Sequence, residues 1–175
     1  MLRISSINLH SCGLPDKKAA DHNKVEKVKE IQIVDPSIYT IIKYDSTDFW
    51  MFKNVQASNL NLNEISAIEE LLSECINNYN PDQLKQFDKI NKEHPEYKFN
   101  KLDFVIDLKR YKRQYVAVIN EKGEKEVWVN CFCSNSENDW KKRIVYVFDG
   151  GNCYFSLKIN MTKKKYYDLM VNGVA

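Results

Sequence analysis

An α+β domain is what this sequence predicts: an amphipathic helix packed on a curved antiparallel meander. Three observations carry that reading. The run 152–161, NCYFSLKINM, puts Cys153, Phe155, Leu157, Ile159 and Met161 on one parity and Asn152, Tyr154, Ser156, Lys158 and Asn160 on the other. A period of two with one apolar face is a half-buried antiparallel strand. Leu62, Ile65, Ile68, Leu71, Leu72, Cys75, Ile76 and Tyr79 recur at helical spacing, the stripe of a helix with one buried face. Only 5 Gly and 4 Pro occur in 175 residues, too few punctuators for a many-turned sandwich, so longer strands with helices are expected.

The elements follow in order. Residues 1–30 read as a tail, because 14–30, LPDKKAADHNKVEKVKE, is polar and mixed in charge and buries too little surface to offset its ordering entropy. A single domain is expected over 31–175. SIYTIIKY (37–44) and FWMFKNV (49–55) flank the turn chemistry Asp45-Ser46-Thr47-Asp48 and read as a hairpin. Large residues fall on both of its parities, so either both faces are covered or one exposes an aromatic patch. Asn61 with Glu64 can box the start of the main helix, Leu62 to Tyr79. A second, weaker helix is expected from Asn80-Pro81 to about His94. Leu102, Phe104, Ile106 and Leu108 then alternate with Asp103 and Asp107, a strand pattern with a solvated acidic face. From Gln114 a series of strands is joined by 121–124, by 134–140 and by Asp149-Gly150-Gly151, a meander that makes 143–148 a strand and closes with a short one over 166–171.

The composition excludes some functions. Twenty-six basic against 24 acidic residues leave a net charge of +2, without the whole-molecule field of a nucleic-acid binder, so nucleic acid is not the expected partner. No apolar run approaches the roughly 18 residues of a membrane-spanning helix. His10, His22 and His94 are the only histidines, and none falls where a core-lined pocket could use it as a base. The Asp149-Gly150-Gly151-Asn152 run has the composition of a turn needing positive φ, not of a phosphate loop.

The cysteines separate in the expected meander. Cys131 and Cys133 share a parity with Val127 and Val129, but the expected register puts them roughly 13 to 20 Å from Cys153 at ~3.4 Å per residue, so no bridge to Cys153 is expected. One intervening residue is not zinc spacing, and buried cysteines acting as small hydrophobes are the expectation, with no metal and no cofactor. The candidate site is instead a basic edge: Lys109, Arg110, Lys112 and Arg113 with Tyr115, brought near Lys141, Lys142 and Arg143 because both clusters start strands at the same end. Such an edge could hold phosphates, an acidic glycan or a nucleic-acid backbone, or could simply keep the sheet ends soluble.

Leu9-His10-Ser11-Cys12-Gly13 resembles the bacterial lipobox, in which a cysteine is lipidated and becomes the mature N-terminus. His10 departs from that pattern, and the segment before it is short for a signal; a true start upstream of Met1 would reconcile the two. The phrases YKRQYVAVINEKGEKEVWVNCFC and VFDGGNCYFSLKIN resemble those of small bacterial proteins, often predicted lipoproteins, a likeness that carries no activity. A helix against a meander is also similar in layout to cystatin-like and NTF2-like folds, which host binders and enzymes alike. The expected function is a non-catalytic binding or interaction protein of the bacterial cell envelope, membrane-tethered through lipidated Cys12, with an unknown protein or anionic ligand as partner. Two alternatives remain: a cytoplasmic polyanion- or nucleic-acid-binding module, and an enzyme with a carboxylate and tyrosine site.

Overall fold

The structure, a computed structural model, describes residues 34–48, 50–134 and 139–173, all within one compact unit. The expected tail, with Cys12, lies outside the described residues. One long helix packs on a six-stranded sheet that is not closed. The strands are β1 (Tyr39–Ile41), β2 (Gln56–Ala57), β3 (Lys112–Ile119), β4 (Lys125–Phe132), β5 (Tyr154–Asn160) and β6 (Lys165–Val171); the helix is α1 (Leu62–Glu93).

The sheet is mixed rather than wholly antiparallel. β3, β4, β5 and β6 run antiparallel in chain order, but β1 lies parallel to β3 and β2 pairs with the same strand further along. The hairpin expected over 37–55 does not form among the described residues: its first arm contributes β1, β2 lies just beyond its second arm, and both short strands pair with β3 and not with each other.

The helix starts where expected. Asn61 accepts from the Glu64 amide at 3.0 Å and Glu64 accepts from the Asn61 amide at 2.9 Å, a complete capping box. It does not stop at Pro81, however, and runs on to Glu93, so the second helix is a continuation of the first. Asn80, just before the proline, donates to the Ile106 carbonyl and accepts from the Ile106 amide, both at 2.8 Å. Ile106 is buried in the core, so that two-way clamp holds the chain where the proline removes a helical hydrogen bond.

The same side-chain chemistry displaces the expected strand 102–108. Lys101–Asp103 and Leu108–Arg110 are 3-10 turns, and the Asn152 amide group donates to the carbonyls of Leu102 and Val105 at 2.9 and 3.1 Å. Backbone groups that a ladder would have satisfied are met by asparagine.

Both faces of β3 and β4 are covered. Tyr115, Ala117, Val127, Val129, Cys131, Phe155, Leu157 and Ile159 point toward Ile65, Ile68, Leu72, Cys75 and Ile76 of α1, forming the main core. On the reverse face Val116, Val118 and Trp128 pack under Met51 and Phe52, and Phe132 packs under Trp140 and Val145. The segment 139–148 is thus a cover, not the strand expected there. Gln114, fully buried, donates to the carbonyls of Trp140 and Arg143 at 2.5 and 2.6 Å and accepts from the Val145 amide at 2.8 Å. Asn130 donates to the Val145 carbonyl at 2.7 Å.

Because 139–148 leaves the sheet, β4 pairs directly with β5, with Phe132 opposite Tyr154. The next residues outward are Cys133 and Cys153. They form a disulfide with Cα atoms 5.0 Å apart, and the Cys133 amide donates to the Cys153 carbonyl at 2.9 Å. The expectation of no bridge is wrong because it placed a strand between these partners. Cys75 and Cys131 remain thiols in the core, and burial, with Glu74 adding to it, pushes the Cys75 thiol up to about 11.

Candidate functional site

The basic edge expected from the sequence is divided by the fold. Arg113 is 4% exposed and faces α1, where its Nε lies 2.8 Å from Glu69 Oε1 as a close ion pair, and its other nitrogens donate to the carbonyls of Tyr111 and Leu108. Tyr115 is fully buried, and its hydroxyl donates to the same Glu69 oxygen. Burial first, and then Glu69, raises that phenol's pKa. Strand parity explains the split: Lys112 faces outward on β3 while Arg113 and Tyr115 turn under the helix. These two residues are corrected from surface ligands to internal structure.

The remaining cations meet only in part. Lys112 and Lys141 stand over the buried Trp140 ring, 5.0 and 5.4 Å from its centroid. Arg143 pairs with Asp139 at 3.2 Å. Lys142 and Arg110 are exposed, and Lys109 lines a different feature, a cleft of about 670 Å³ beside α1 that also takes in Glu69, Glu74 and Arg113. In that cleft the Arg113 and Glu69 charges already answer each other.

A second concavity, about 640 Å³, lies on the reverse face between the 50–51 and 145–148 segments and strands β5 and β6. Its size is that of a small-molecule cleft, for which ~300–1,000 Å³ is usual. One wall is a ladder of rings. Trp50 lies 5.3 Å from Trp128 edge-on and 5.1 Å from Tyr146 at a 53° tilt, and Tyr146 lies 4.7 Å from Phe148 at 80°. Trp128 belongs to the core, yet Trp50, Tyr146 and Phe148 are 45%, 57% and 83% exposed.

Phe148 is presented rather than left loose. The Asn172 side chain donates to the carbonyls on both sides of it, Val147 at 2.6 Å and Asp149 at 2.9 Å. Gln114 and Asn130 pin the other end of the same segment, and the disulfide lies at its base. Gly150 and Gly151 follow with φ of 84° and 61°, the positive values expected of this glycine pair. A Cβ on Gly150 would come within 2.7 Å of the Tyr154 ring, so the chain can turn here against that ring only with glycine.

The floor is polar. Between Ser156 and Lys158 the pairing of β5 with β6 slips by one residue, a bulge, and Asp168 sits in it with φ of 51°. Bulges re-aim side chains. Here the Asp168 carboxylate meets Lys158 Nζ at 3.3 Å, with side chains 57% and 24% exposed. Lys158 also passes 5.4 Å from the Phe52 ring centroid.

Sequence reasoning missed this groove as a site. The one available signal was the pair of parities in 49–55 with its option of an exposed aromatic patch; among the described residues of that run Met51 and Phe52 are buried and Trp50 is exposed. Nothing local in the sequence joins Trp50 to Tyr146 and Phe148. Among the described residues no group of three or more histidine, cysteine or carboxylate side chains is placed to hold a metal ion, and no helix is long and apolar enough to cross a membrane.

No protein-family model, curated protein or solved structure matches the chain.

Proposed function

We propose that this is a non-catalytic binding protein whose ligand lies in the groove edged by Trp50, Tyr146 and Phe148. The observation that carries the reading is Phe148: a phenyl ring 83% exposed, at the end of a ring ladder rooted in the core, with its flanking carbonyls both held by Asn172. An apolar ring held rigidly in water is a cost to an isolated domain and an advantage to a binding surface, where preorganisation limits the entropy lost on association. The floor's two ionisable groups, Lys158 and Asp168, are paired with each other, an arrangement suited to orienting a ligand.

Placement in the bacterial cell envelope, tethered through lipidated Cys12, belongs to the same proposal. It is supported by the Cys133–Cys153 bridge, since structural disulfides persist in oxidising compartments. The polyanion-binding alternative is weakened by the withdrawal of Arg113 and Tyr115 into the core.

A fragment screen on the full chain, read by amide chemical shifts, tests the groove. Aromatic and polyhydroxylated fragments are expected to shift Trp50, Trp128, Ser156 and Met170. Hits confined to Lys109, Lys112 and Lys142 would return the site to the basic edge.

A further inference from the structure

We propose that the groove takes an uncharged saccharide, its pyranose rings packed against the wall of Trp50, Tyr146 and Phe148 with hydroxyls directed at Lys158 and Asp168. The proposal rests on the reading of this groove as the binding site and goes on to name the ligand's chemistry.

The rings decide the first step. They touch one another as a stepped wall, with centroids 5.1 and 4.7 Å apart and planes turned by 53° and 80° along the exposed part. A cage for a quaternary ammonium needs rings standing apart around a void, so that each face reaches the cation within about 6 Å. A wall offers ring faces and edges in succession. Pyranoses whose hydroxyls are equatorial present flat patches of axial C–H to such rings, while their polar groups point sideways.

The floor decides the second. Lys158 and Asp168 place a donor and an acceptor side by side with no net charge. Neighbouring sugar hydroxyls can answer both, one donating to the carboxylate and the next accepting from the ammonium. A lipid chain would cover that ion pair without replacing its water, an uncompensated desolvation. A polyanion would find one cation among the described residues lining the groove, and that cation is paired.

An extended peptide is the remaining competitor. It would add to the outer edge of β6, the last strand in the sheet order, by continuing the hydrogen-bond ladder. The bulge at Asp168 breaks that edge beside the groove, and bulged edges discourage strand addition.

The test is a glycan array carrying neutral and acidic oligosaccharides, with soluble β-linked glucose oligomers as the first probe, applied to the full chain and to Phe148→Ala and Asp168→Asn. Phe148 is so exposed that its removal leaves the fold intact, to be verified by thermal melting. Asparagine accepts the positive φ of position 168, so that variant keeps the bulge while losing the charge. The expected result is retention of neutral glycans, abolished by Phe148→Ala and weakened roughly tenfold by Asp168→Asn, a tenfold change being about 1.4 kcal/mol. Retention of acidic glycans alone, or no glycan retained, overturns the saccharide. If an unfolded polypeptide or phosphatidylcholine vesicles bind instead and Phe148→Ala abolishes that binding, the saccharide fails while the groove stands. Binding of every probe that is indifferent to Phe148→Ala overturns both.

Discussion

Trp50 stands edge-on to Trp128 with ring centroids 5.3 Å apart and planes at 89°. The inner ring is 5% exposed and the outer 45%. A tryptophan of the reverse-face core thereby fixes the position of one in solvent, and edge-to-face contacts of this kind contribute about 0.5–1.5 kcal/mol beyond burial. The groove's wall is an outcrop of the core.

Gln114 is the first support. Gln114→Leu keeps the volume roughly but leaves the carbonyls of Trp140 and Arg143 and the amide of Val145 without their partner. With unsatisfied buried groups costing about 1–3 kcal/mol apiece, a loss of about 3 kcal/mol is expected. Urea denaturation measures it, and the Val145 amide should lose its hydrogen-exchange protection more than amides of β4.

The disulfide is the second. Cys133→Ser with Cys153→Ser opens a cross-link spanning 20 residues, for which loop entropy gives about 3 kcal/mol. Reduction of the wild-type chain should lower the thermal midpoint comparably. Cys75 and Cys131, buried in the core, should resist thiol reagents until the chain unfolds, which peptide mapping after alkylation would show.

Packing on both sides of the sheet predicts that both parities are costly to truncate. Leu157→Ala, under α1, should lose about 2–5 kcal/mol and Phe132→Ala, under Trp140, about 3–5 kcal/mol. A small effect at Phe132 would mean that the 139–148 cover does not pack.

Glu124 supplies a pH dependence. Hydrogen bonds from Lys163 first and Asn160 next, at 2.9 and 2.8 Å, pull its carboxyl down to about 2 from an ordinary 4.5. A depressed folded pKa means that the unfolded chain takes up the proton first. The stabilisation is therefore complete above pH 4.5 and lost as pH falls toward 2. Glu124→Gln should flatten the stability profile across that window and leave its shape at neutral pH unchanged.

The parts legible in the sequence were those set by local pattern. The Asn61 and Glu64 box, the Phe155, Leu157 and Ile159 face, the strand over 165–171 and the positive-φ glycines all follow from neighbours a few residues apart. What escaped was set by amide side chains acting at long range. Asn80 and Asn152 hold 102–106, Gln114 and Asn130 hold 140–145, and Asn172 holds 147–149. The first pair replaces a ladder that the alternation of 102–108 had suggested, and the others hold the segment that the expected meander had made a strand over 143–148. The missed disulfide and the missed groove both follow from the 139–148 segment lying on the sheet instead of in it. Arg113 escaped because a charged residue in a basic run reads as surface until a carboxylate from a distant helix, Glu69, meets it.

The most direct measurement is calorimetric titration of the best-retained probe into the full chain, its Phe148→Ala variant and a Lys109→Ala/Lys142→Ala variant. The groove account predicts that affinity vanishes with Phe148 and is unchanged by loss of the two lysines. Affinity that survives Phe148→Ala and falls with the lysines would contradict it.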